Sequence, residues 1–60
     1  MNAPHISDAT YCRIASLTVH AHIVLGSNQH GRVIAERTRG GARIVWEHAN
    51  GFRVLRSFSI

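Results

Sequence analysis

The stretch "ERTRGGARIVWEHANGFRVLR", residues 36–56, decides the fold, because two glycine-bearing turn signals cut it into runs of alternating apolar and polar side chains. Asn50-Gly51 is a strong two-residue hairpin signal, since a tight hairpin wants positive φ at its central positions. Gly40-Gly41 reads the same way. The run "ARIVWEH" (42–48) is therefore expected to pair antiparallel with "RVIAERT" (32–38) on one side and "FRVLRSFSI" (52–60) on the other.

With those dipeptides as central turn residues the register can be written out. Arg37 faces Ile44, Ala35 faces Trp46 and Val33 faces His48; Glu36 faces Val45; Trp46 faces Leu55 and Val45 faces Arg56. Strict alternation then divides the residues between two faces. One face holds Val33, Ala35, Ala42, Ile44, Trp46 and Leu55, with Arg37, Arg39, His48 and Arg53 at its margins, and reads as the core. The other mixes Arg32, Glu36, Arg43, Glu47 and Arg56 with Ile34, Val45, Phe52, Val54 and Phe58. A purely solvated face has no use for two phenylalanines and several β-branched residues, so this second face is the candidate interface.

Upstream, "LTVHAHIVL" (17–25) alternates Leu17, Val19, Ala21, Ile23 and Leu25 with Thr18, His20, His22 and Val24, the period of a half-buried strand. "GSNQHG" (26–31) reads as the loop after it. The simplest register puts His20, His22 and Val24 on the Trp46 side, and a slip of one residue reverses that. Ser7 and Asp8 supply a helix N-cap and a first-turn acid, predicting one or two helical turns over residues 8–15, although Thr10, Tyr11, Cys12 and Ile14 also suit a strand. Residues 1–6 read as a flexible arm and 7–60 as one small domain. The expected fold is mainly β (β-rich α+β), a small antiparallel sheet of three or four strands in meander order, with a short N-terminal helix in the helical reading of residues 8–15.

Sixty residues, 45% of them hydrophobic and 17% charged, describe a folded domain rather than a disordered tail. So short a chain buries only about 60% of its unfolded surface, which favours stabilisation by a partner or a second copy. Cys12 is the single cysteine, so no internal disulfide forms, and a reducing, cytoplasmic setting is expected. No apolar run has the length of a membrane span, and "MNAPHISDAT" carries no basic residue of a secretory leader.

The net charge is +4, and all seven basic side chains are arginine. Arginine's planar fork suits phosphates and carboxylates, while a GC-rich genome would give the same bias. The candidate contact residues are Arg37, Arg39, Arg43, Arg53 and Arg56, with Phe52 and Phe58 available to stack on bases or to centre a protein interface. Trp46 is assigned to the core, as its largest side chain.

His20 and His22, about 6–7 Å apart if on one strand face, have a spacing that could share a metal ion, but with no accompanying ligand motif they are read as the solvent half of an amphipathic strand and no metal site is expected. Three carboxylates and no room for a deep pocket argue against an enzyme, and no cofactor is expected. The expectation is a non-catalytic binding module that contacts nucleic acid or a nucleoprotein complex. The alternative is a small regulator or inhibitor of the phage or plasmid type, docking on a protein partner through a Phe52/Phe58 face. A homodimer is expected in either case, and no membrane partner.

Overall fold

The structure is a computed structural model and describes residues 6–60. One helix, α1 (Asp8–Ala15), precedes four strands, β1 (His22–Asn28), β2 (Gly31–Arg37), β3 (Gly41–His48) and β4 (Gly51–Ser59). The strands form one antiparallel sheet in the order β1-β2-β3-β4. The mainly β meander with a short N-terminal helix is thus the fold.

Helix α1 starts where Ser7 stops the extended chain. The Ser7 Oγ accepts a hydrogen bond from the Thr10 backbone N–H at 3.2 Å, satisfying one of the free donors of the first turn, and Asp8 follows it. At the other end Ser16 donates from its Oγ to the Cys12 carbonyl at 2.9 Å. Eight residues are too few for a helix to persist alone in water, so α1 depends on docking. Its one fully buried side chain, Ile14, seats among Ala35, Ala42 and Ile44. The two alanines let the helix approach the sheet closely. Ile6, Ile23, Leu25, Val33, Leu55 and Phe58 pack around this cluster. The arm expected over residues 1–6 falls outside the described residues except for Ile6, which joins that packing. Ser7→Ala should cost about 1 kcal/mol through loss of the cap, lowering the thermal midpoint by about 4–8 °C for a chain of this size. Thermal melts followed by circular dichroism check it.

Both glycine turns sit one residue earlier than the dipeptides suggest. Thr38 N–H donates to the Gly41 carbonyl at 2.9 Å and Arg37 pairs with Ala42, so the central residues are Arg39 and Gly40. His48 pairs with Gly51, making Ala49 and Asn50 central, and it is Gly51 alone in that turn that takes a positive φ, of 133°. Each shift of one residue in the turn moves the register by two, and two is the side-chain period of a strand. Ala35 therefore faces Ile44 instead of Trp46, and Trp46 faces Arg53 instead of Leu55, yet the face of each residue near the turns is as expected.

Two bulges change faces. One lies at Leu55, between the pairs Val45 with Val54 and Ile44 with Arg56; the other at Leu25, between Val24 with Ile34 and Gly26 with Val33. An extra residue inverts the alternation beyond it. Arg56 and Phe58 consequently move to the helix side of the sheet, opposite Ile44 and Ala42, which corrects their assignment to the outward face. β1 takes the reversed assignment: Ile23 and Leu25 join the core, while His22 and Val24 face outward. The strand begins only at His22, and the expected six-residue loop is a two-residue turn, Gln29-His30, held by Asn28 Oδ1 accepting from the N–H of His30 (2.8 Å) and Gly31 (3.2 Å).

Trp46 lies on the helix side, as expected, but is only half-buried and outside the buried cluster. An eight-residue helix is about 12 Å long, whereas β3 runs about 26 Å. The helix covers the end of the sheet nearest Ala42 and leaves Trp46 to stack on His48, ring centroids 6.2 Å apart.

Candidate protein interface on the open sheet face

The face turned away from α1 has no covering element among the described residues. Cross-strand pairing arranges it in three rows. The middle row runs Val24, Ile34, Val45, Val54, one β-branched residue from each strand. Ile34 and Val45 at its centre are 5% and 3% exposed, whereas Val24 and Val54 at its ends are 50% and 44% exposed. One flanking row is Ser27, Arg32, Glu47, Phe52, and the other is His22, Glu36, Arg43, Ser57.

In each flanking row the two central charges form an ion pair. Arg32 Nε donates to Glu47 Oε1 at 2.6 Å, and Arg43 Nε to Glu36 Oε1 at 2.6 Å. Partly exposed pairs of this kind add little stability, up to about 1 kcal/mol each. Their main effect is on charge and on cover. The arginine stems lie beside the apolar row, and the Arg43 guanidinium also stands over the Phe52 ring, 5.7 Å from its centroid. The four charges cancel, so this face carries no net charge. The five remaining arginines, less Asp8, account for the whole +4.

The arginines nominated from the sequence do not converge. Arg43 is on the open face with Phe52. Arg37 is committed to the β2–β3 turn, donating from one guanidinium nitrogen to the carbonyls of Thr38 and Gly41. Arg39 is exposed at the tip of that turn, and Arg53 is exposed on the helix side opposite Trp46. Arg56 stands over Phe58 at 5.4 Å, and Phe58 in turn stacks on Tyr11 with centroids 5.9 Å apart. Phe52 and Phe58 are therefore on opposite faces and cannot form one contact surface. Phe52 is 63% exposed, while Phe58 is half-buried in the core margin.

His20 precedes β1 in a turn with φ of 75°, so it does not alternate with His22 along a strand, as the shared-metal reading requires. Among the described residues no three of His, Cys, Asp and Glu come together. Cys12 is exposed on α1. No helix of the described residues is long and apolar enough to cross a membrane.

Val24 and the two ion pairs are not anticipated by the sequence-derived register, which sets Glu36 opposite Val45. A signal was available. "RVIAE" (32–36) and "RIVWE" (43–47) repeat the pattern Arg-apolar-apolar-apolar-Glu, and on antiparallel neighbours in register that repeat places each Arg beside the other strand's Glu. The chain matches no protein-family model, and neither the curated proteins nor the solved structures give a significant similarity.

Proposed function

We propose that the protein is a non-catalytic protein-binding module, a small regulator or inhibitor that acts through its open sheet face. The observation that supports this is the neutral, internally ion-paired surround of the Val24-Ile34-Val45-Val54 row. A surface built for phosphate presents unpaired cations, whereas an apolar centre with its rim charges already satisfied suits a protein. The exposed Cys12 thiol suits a reducing, cytoplasmic setting.

A second reading has its own observation. Nucleic acid, free or in a nucleoprotein complex, would use the helix side and turn, where Arg39, Arg53 and the half-exposed Trp46 hold the uncompensated charge and a stacking ring. Native mass measurement of the complex purified from the producing cells separates the two. On the protein reading, the bound mass is protein, survives nuclease and moderate salt, and is lost in Phe52→Ala/Val54→Lys but kept in Arg39→Ala/Arg53→Ala. A nuclease-sensitive mass with the reverse response to the variants, and affinity falling steeply with salt, sinks the protein reading.

A further inference from the structure

We infer that the partner of the open face is a second copy of this chain, packed face to face as a two-fold dimer. This rests on the protein-binding reading of the same face and specifies its occupant.

The argument is the sign pattern around the apolar centre. Arg32, Glu36, Arg43 and Glu47 occupy the corners of a rectangle, with Ile34 and Val45 in its middle. Along a strand the corners are four residues, about 13 Å, apart, and across the strands about 5 Å. Signs alternate around it: Arg32 to Glu36 along β2, Glu36 to Arg43 across, Arg43 to Glu47 along β3, Glu47 to Arg32 across. A second copy turned over about an axis in the plane of the sheet exchanges neighbouring corners. Neighbouring corners always differ in sign. Whether that axis runs along the strands or across them, every arginine of one copy meets a glutamate of the other, and the β-branched row lies on its own image. An unrelated partner needs a matching pattern of its own, whereas a second copy has it by construction.

The rectangle also sets the packing. Its sides differ more than two-fold, so a copy crossed at right angles loses the match, and the sheets must stack in the aligned manner, about 10 Å apart. Pairing through the strand edges is disfavoured, since both edge strands carry a bulge and β4 adds Arg53 and Arg56. The broadest projection of the protein, 29 × 21 Å, allows each partner roughly 600 Å² of contact. That is at the low end for specific interfaces and implies a reversible dimer.

Sedimentation velocity of the purified chain between about 1 µM and 1 mM, the span over which a weak dimer dissociates, tests this. The mass should double across the range. Val24→Lys/Val54→Lys, which alters the two exposed ends of the row and leaves the buried core intact, should keep the native circular dichroism and remain monomeric. Arg32→Glu/Arg43→Glu and Glu36→Arg/Glu47→Arg carry four like charges each and should stay monomeric alone, but pair when mixed in equal amounts. Wild type that remains a monomer at the highest concentration overturns the second copy while leaving the face open to another protein. A dimer that survives Val24→Lys/Val54→Lys places the contact on another surface and overturns the inference, while the protein-binding reading of this face is decided separately by the Phe52→Ala/Val54→Lys complex.

Discussion

Ile44→Ala is expected to remove a large share of the chain's stability and to lower its urea midpoint steeply. Ile44 is fully buried at the middle of β3, one of the two central strands, and shares the buried cluster with Ile14, Ala35 and Ala42. Ile→Ala in a packed core costs about 2–5 kcal/mol, from lost transfer energy and from the cavity left behind. The upper part of that range applies here. Ala35 and Ala42 have no side-chain freedom with which to fill the space, and Ile14 is tied to a capped helix. Against a total stability of about 3–9 kcal/mol for a chain this long, the loss removes a large share of what is available. Ile23→Ala, at the half-buried margin on edge strand β1, serves as the comparison and should cost visibly less. Urea titrations of the three proteins decide it. If Ile44→Ala kept a wild-type midpoint, the cluster beneath α1 would not be the core.

The Ile44 cluster also shows what the sequence made legible and what it did not. Ile44, Ala35 and Ala42 share a face in the sequence-derived register although that register sets each hairpin turn one residue late. The displacement of two leaves the side-chain period untouched, so the error changes neighbours without changing faces. Bulges are odd displacements and have no such protection. Leu55 sits in "FRVLRSFSI" with nothing to distinguish it from a regular strand residue, yet beyond it Arg56 and Phe58 exchange faces with Ser57. β1 fails for the same reason at Leu25, where only the adjacent Gly26 hints at irregular backbone. Helix α1 was legible because Ser7 and Asp8 are a local signal, while the fate of Trp46 depended on how far that helix reaches over the sheet. The mixed, apolar character of the open face is legible in the alternation of Ile34, Val45, Phe52 and Val54 with charged neighbours. The charge balance of that face is not, because whether Glu36 meets Val45 or Arg43 is a matter of the register alone.

Gly41→Ala is expected to destabilise the fold severely where Gly40→Ala, one residue away, does not. Neither glycine has a left-handed φ, so the contrast isolates space from backbone preference. A methyl group on Gly41 would stand 1.9 Å from the Phe58 carbonyl oxygen, and the obstacle is backbone, not the far end of a side chain. Relief requires β3 and β4 to separate at the Gly41 with Ser59 pair, beside Arg43 and Ser57. Overpacking of this kind costs about 1–3 kcal/mol, and a rigid carbonyl with no rotamer to change places it at the upper end. The Arg37 guanidinium adds to the loss, because it donates to the Gly41 carbonyl at 2.7 Å and holds the β2–β3 turn through it. A methyl on Gly40 meets nothing within 4 Å. There the restricted unfolded chain should make alanine neutral or stabilising, by up to about 1 kcal/mol. Denaturation midpoints of the pair check the difference, and hydrogen exchange locates it: Gly41→Ala should accelerate exchange at Thr38 and along the adjoining ends of β3 and β4. Equal midpoints for the two variants would mean that the strands do not approach so closely at Gly41, and the register carrying Glu36 beside Arg43 on the open face would have to be redrawn.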